Sequence, residues 1–169
     1  TAELVDAAGG HGIACVTDHL DPDQVRSLVE RIEGDHGRLD ILVNDVGGEH
    51  YVDFGKKVWE YELDRGLRLL RAGLESHLIT SHLALAVLSR RPGGLVVEVT
   101  DGSNAWNDSR FRETVFMDIT KTAVNRLAFG EGHELEPHGC CAVAVSPGWL
   151  RSEMMLDHFG VTEETWLDA

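Results

Sequence analysis

Two short apolar runs, LVVEVT at Leu95–Thr100 and CCAVAV at Cys140–Val145, flank an amphipathic stretch, VFMDITKTAVNRLA at Val115–Ala128. This succession limits the fold more than any other feature. Strands separated by a helix cannot form a tight hairpin, so they pair in parallel through a right-handed crossover. A third run, LDILVNDV at Leu39–Val46, is apolar through its centre and ends at Gly47-Gly48. Such a run suits a parallel strand covered on both faces. The expected class is therefore α/β with a parallel sheet, residues 1–169 forming a single domain.

The remaining segments fit between these runs. Thr1–Ala8 reads as the last turns of a helix, stopped by Gly9-Gly10. The glycines of Gly9-Gly10-His11-Gly12 follow a helix and precede a strand expected at Ile13–Thr17. A dinucleotide loop needs the opposite order, so these glycines are a connector. Asp21-Pro22-Asp23 caps a helix whose apolar stripe is Val25, Leu28, Val29 and Ile32, and Gly34 to Arg38 ends it. A loop with Tyr51, Phe54, Trp59 and Tyr61 leads into a helical pattern from about Trp59 to Ser89, with Gly66 and Gly73 as points where it could divide. Its second half, LITSHLALAVL, is apolar nearly all round, which fits either a core between layers or a subunit interface. After a polar loop from Asp101 to Arg112, Val115, Ile119 and Leu127 mark the expected apolar face of the next helix, from which Lys121 projects. The tail from Trp149 to Ala169 is acidic and aromatic, with at least one helical turn.

Composition excludes several functions. A formal charge of −14 repels phosphate backbones and anionic membrane surfaces, so no nucleic acid and no membrane are expected as partners. No apolar run approaches the roughly 20 residues that span a bilayer, and TAELVDAAGG lacks the basic and apolar regions of a signal peptide. A cytoplasmic location is the corresponding expectation. Cys15, Cys140 and Cys141 read as buried thiols in a reducing compartment, and the histidines lack zinc-site spacing, so no metal is expected.

Taken together, LDILVNDVGG, the long apolar helix, GGLVVEVTDGS, the Lys121 helix and AVAVSPGWLRSEM resemble the short-chain dehydrogenase/reductase family over essentially the whole chain. The resemblance implies a Rossmann-like doubly wound parallel sheet, truncated at both ends. The family's opening strand, Gly-rich turn and helix have no counterpart here, and neither does its last strand. It also implies NAD or NADP as cofactor, with binding dependent on a Gly-rich loop outside this sequence, and a small-molecule carbonyl or alcohol as substrate. By this resemblance the cofactor-binding residues are Asp18 at the adenine, Asn44, Val46 and Gly47 in the family's Asn-Asn-Ala-Gly turn, Lys121 at the nicotinamide ribose, and Pro147, Gly148 and Ser152 at the carboxamide. Asp18 and Ser152 also suit helix caps, and Asn44 a turn. Relatives pair the helices corresponding to Leu74–Leu88 and Val115–Phe129 into a homo-oligomer, and Trp149, Met154, Met155, Phe159 and Trp166 fall where relatives cap an apolar substrate.

Three of the family's four catalytic positions differ. The tyrosine that transfers the proton, four residues before the lysine, is Met117; the serine that holds the carbonyl aligns with Asp101; the helix asparagine aligns with Ala72. A phenol of pKa about 10 becomes a working acid beside an ammonium, whereas a thioether has no proton to give. Ser103, Thr120, Tyr51 or a water on Lys121 are the candidate substitutes. Two readings follow: an NAD(P)-dependent oxidoreductase completed by an N-terminal segment, or a catalytically degenerate relative serving as a binding or interaction subunit.

Overall fold

The computed structural model describes residues 1–148 and 150–168. Strands β1 (Ile41–Asn44), β2 (Leu95–Val99) and β3 (Cys141–Val145) form a parallel sheet in the order β1-β2-β3. Its register places Ile41, Leu95 and Cys141 in one row, and Asn44, Glu98 and Ala144 in another near the opposite end. The α-helices are α1 (Ala2–Ala7), α2 (Pro22–His36), α3 (Leu63–Leu70), α4 (Ser76–Leu88), α5 (Asn104–Asn107), α6 (Val115–Leu135) and α7 (Glu153–Phe159). Parallel strands alternating with helices are the α/β arrangement expected. Among the described residues no helix is long and apolar enough to cross a membrane.

Side chains alternate across a strand, so the sheet has two distinct faces. Leu42, Val96 and Ala142 point to one, where Leu85 and Leu88 of α4 and Leu135 of α6 complete a core with Leu39 and Cys140. Helix α2 adds Val29 against Ala84 and Val87 of α4. Its N-terminus follows the sequence closely: the Asp21 side chain accepts from the backbone N–H groups of Asp23 and Gln24, Pro22 opens the helix, and Gly37 ends it at φ 67°. A third cluster of Val52, Tyr61, Leu69 and Phe116 joins α3 to α6. The other face differs from the expectation of a strand covered on both sides. It leaves Ile41 and Val43 57% and 55% exposed, with Val143 and Val145 also open.

Several elements depart from the sequence-based expectation. Ile13–Thr17 is not a strand, and among the described residues β1 pairs only with β2. A strand exists through its neighbour's N–H and C=O groups, and with no ladder partner the apolar run stays irregular, Val16 fully exposed. The helical pattern begins at Leu63 rather than Trp59 and does not divide: a π-helical turn at Arg71–Glu75 joins α3 to α4. Gly66 and Gly73 have a packing role instead. A Cβ on Gly66 would stand 2.6 Å from the Phe116 ring, and one on Gly73 2.6 Å from Thr120 Cγ2, so α6 can approach closely. The loop after β2 contains the one-turn helix α5.

Helix α6 extends to Leu135, and its buried face is Phe116, Thr120, Val124, Ala128, Glu131 and Leu135. The face expected to be apolar is turned away: Val115 and Leu127 are half-buried and Ile119 is exposed. A threonine and a glutamate interrupt the true core stripe, which hides it from hydrophobic periodicity. The cysteine expectation holds only for Cys140; Cys15 and Cys141 are exposed, and all three are free thiols.

Candidate active site

The segments that follow β1, β2 and β3 emerge at the same end of the sheet, the end where parallel α/β sheets take ligands. Asn44 closes β1 and is buried; its Nδ2 donates to Glu98 Oε1 at 2.6 Å and to Ser81 Oγ at 3.0 Å. Two residues on, the Val46 carbonyl accepts from His77 Nε2 at 2.8 Å. Gly47 leaves room for the next side chain to fold back, since a Cβ there would overlap the Glu49 carboxylate. That carboxylate accepts from Lys121 Nζ at 2.5 Å. Burial raises the Glu49 carboxyl, but the charge and hydrogen bond of Lys121, with smaller help from its own backbone N–H and from His50, hold it below the ordinary carboxylate range.

Met117 stands one turn before Lys121 on α6 and packs, half-buried, against the Val52, Tyr61, Leu69 and Phe116 cluster, as does Tyr51. Ala72 lies within the π-helical turn. Asp101, at the end of β2, is not free to face a substrate. Arg112 donates Nε to its Oδ2 at 3.3 Å and an Nη2 proton to its backbone carbonyl, and Ser146 Oγ approaches its Oδ1 at 3.5 Å. Arg112 is itself buried, with further contacts to Asn107, to Asp118 at 3.1 Å and to the Trp106 ring. The Gly102 N–H donates to Ser146 Oγ at 3.0 Å, which ties the loop after β2 to the end of β3.

The other expected site residues are more local. Ser103 caps α5 by accepting from Trp106 N, and Thr120 Oγ1 donates to the Phe116 carbonyl. Asp18 accepts from Leu20 N at 2.9 Å in the turn before α2. Pro147 and Gly148 are exposed beyond β3, and Ser152 caps α7 by accepting from Met155 N. Trp149 lies outside the described residues. The fold thus brings the Asn44–Gly47 turn and the end of β2 to Lys121, while Asp18 holds the turn before α2 and Ser152 caps α7.

Sequence reasoning missed a buried polar cluster beneath this turn. Glu98, near the C-terminal end of β2, is 0% exposed; its Oε2 faces His77 Nδ1 at 2.5 Å, and His77 is 1% exposed. Glu131 of α6 is buried nearby, with neither carboxyl oxygen at hydrogen-bonding geometry to a partner among the described residues. Burial, only partly offset by nearby Ser81 and reinforced by the charge of Glu98, pushes its carboxyl up to about 7. For His77, burial pulls the imidazole down, but the hydrogen bond and charge of Glu98 outweigh it and the net shift is upward. The available signal was a glutamate inside LVVEVT, and the run of Ser76, His77, Thr80 and Ser81 along one side of an otherwise apolar helix.

Comparison with known proteins gives the family and the fold. The family model for short chain dehydrogenase covers residues 1–159, and the chain belongs to the short-chain dehydrogenase/reductase family. It is 26% identical over 166 residues to human dehydrogenase/reductase SDR family member 1, covering 96% of this chain and 52% of that protein. The chain therefore spans about half the length of the curated relatives it matches. Among solved structures, a short-chain dehydrogenase/reductase from Serratia marcescens superposes with a TM-score of 0.76 at 27% identity, over 90% of this chain and 59% of that one. A metagenomic short-chain oxidoreductase in complex with NADP superposes at 0.74 with 19% identity, over 89% and 66%.

Proposed function

We propose that this chain contributes the nicotinamide side of an NAD(P) site, and that the cofactor is held there without the family's tyrosine-driven proton transfer. The observation that carries this reading is the pairing of Met117 with Lys121. The lysine keeps its place on α6, but one turn earlier there is no acid, and Glu49 neutralises the ammonium. Asp101, where a carbonyl-holding serine would stand, would repel a developing alkoxide and is engaged by Arg112 instead. The protein in this reading is a catalytically degenerate member that binds rather than turns over. Exposed Leu78 on α4, with Ile119 and Phe129 on α6, supports a homo-oligomer through these helices.

The alternative, an NAD(P)-dependent oxidoreductase acting on a carbonyl or alcohol, has one specific support. Tyr51 packs against the same cluster as Met117, which makes it the strongest substitute donor. Thr120 already spends its proton on Phe116, and Ser103 turns its oxygen to a helix cap.

Titration of the purified protein with NADH and NADPH, followed by assay against a carbonyl panel, separates the readings. Binding without turnover is expected, with turnover appearing in the Met117→Tyr, Asp101→Ser double variant. Absence of binding at millimolar cofactor would sink the cofactor reading. Wild-type turnover that disappears in Tyr51→Phe would establish the alternative.

A further inference from the structure

The buried cluster under the Asn44–Gly48 turn has no part in the family positions considered so far. His77 contacts two acceptors at once. The Val46 carbonyl can only accept, so Nε2 carries a proton and donates it. Glu98 Oε2 sits at 2.5 Å from Nδ1, and Glu98 Oε1 already accepts from Asn44, so a second proton lies between the imidazole and the carboxylate. With Glu131 protonated, the three groups carry no net charge whichever atom holds the shared proton. That accounts for three ionisable side chains surviving where almost no water reaches.

Removing one proton from the His77–Glu98 pair breaks this balance in one of two ways. Either the Nδ1 lone pair faces a carboxylate, or the proton shifts to Nδ1 and the Nε2 lone pair faces the Val46 carbonyl. The second outcome releases the backbone of the turn. The titratable and charged groups about His77 are Glu98 on β2, Glu131 and Lys121 on α6, and His19 before α2, with Asp18 beside His19. Glu98, and Glu131 once it is ionised, favour the protonated ring; Lys121 and His19 oppose it.

We propose that His77 is a positioning residue that fixes the Val46–Gly48 turn through the Val46 carbonyl, and that this bond is secure while the His77–Glu98 pair keeps its shared proton. In the part that concerns cofactor affinity, the proposal rests on the NAD(P)-site reading above. The turn leads directly into Glu49 and its contact with Lys121, so its position governs the space around the ammonium.

Amide hydrogen exchange at residues 46–49 of the unliganded protein, corrected for the intrinsic effect of pH, tests the clamp. NADH titration tests its consequence. In the wild type, protection at 46–49 is expected to persist through neutral pH and fall on the alkaline side. His77→Gln can still satisfy one partner but cannot carry the charge. It should exchange about tenfold faster at these amides, show no pH response, and bind NADH about tenfold more weakly. Glu98→Gln, which keeps the side chain's size and removes the anion, should shift the release to lower pH, and it serves as the second variant should His77→Gln fail to fold. Unchanged protection at 46–49 in His77→Gln, or an unmoved pH of release in Glu98→Gln, overturns the clamp whatever NADH does. Faster exchange in His77→Gln beside a wild type that binds no cofactor upholds the clamp and overturns the NAD(P)-site reading instead.

Discussion

Two polar regions lie on either side of the turn that follows β1, and they are built in opposite ways. Around Lys121 the carboxylates are partly open to solvent and each meets a cation: Glu49 meets Lys121, and Asp101 and Asp118 both meet Arg112. Beneath the turn, Asn44, His77, Glu98 and Glu131 are closed off: Glu98 accepts from Asn44 and holds a proton in common with His77, and burial keeps the Glu131 carboxyl raised. The upper region occupies the family's catalytic positions and has lost most of their chemistry. The lower region lies outside those positions and carries much stronger constraints on its ionisation. The strongly raised carboxyl of Glu131 therefore lies one layer below the positions where a catalytic group would be sought.

This contrast breaks first at Glu98. Glu98→Ala would leave His77 and Asn44 without their shared acceptor inside the core. Removing one member of a buried pair costs about 3–5 kcal/mol, a large part of the roughly 5–15 kcal/mol that stabilises a domain. Chemical denaturation should show a strongly lowered midpoint, or no cooperative transition at all. A loss below about 1 kcal/mol would mean that water reaches Glu98 and that the lower region is not closed.

Glu131 sharpens the same contrast with the opposite sign. Its carboxyl lies at about 7 in the folded chain against an ordinary 4.5. Between those values the folded state holds a proton that the unfolded state has released, so stability falls as pH rises through this window and the penalty is complete above it. Glu131→Gln removes that penalty. It should stabilise the protein at pH 8 by on the order of 2–3 kcal/mol and have little effect near pH 4. Thermal unfolding of both proteins across this range gives the answer. Equal stabilisation at both ends would assign the gain to packing rather than ionisation. His77, whose affinity for its proton is also raised, acts in the same direction: its contribution is complete below the ordinary imidazole value and is lost as pH rises through the folded value.

The two regions were also unequally legible in the sequence. Asp21-Pro22 predicts its helix because a cap and a proline act locally. LVVEVT and CCAVAV predict β2 and the bulk of β3 because each run finds the other as a neighbour. Ile13–Thr17 has the same composition without a neighbour, and composition cannot supply one. In the upper region, Lys121, Asp101 and Met117 could be located by their spacing within a motif. In the lower region, Glu98 and His77 are 21 residues apart and Glu131 lies on a third element. Only the fold brings them together. The polar residues that mark the cluster are the ones that interrupt apolar periodicity, so α6 reads as buried on the face of Ile119 when its core face carries Thr120 and Glu131.

The smallest effect on stability is expected in the upper region, at Glu49. Its side chain is 38% exposed, so solvent screens its pairing with Lys121. Glu49→Gln should change stability at pH 7 by less than about 1 kcal/mol. The sign follows from a carboxyl held below its ordinary value: the contribution is present above the unfolded value and is lost as pH falls through the folded one, so wild type and variant should converge in acid. The ligand response should be larger than the stability response. With the carboxylate gone, Lys121 keeps its place on α6 and its ammonium is no longer neutralised, so NADH affinity should rise several-fold, on the order of one charge-assisted hydrogen bond. Parallel melting curves and NADH titrations of the two proteins separate these effects. Weaker NADH binding in the variant would show that Glu49 orients the lysine for the cofactor instead of competing with it.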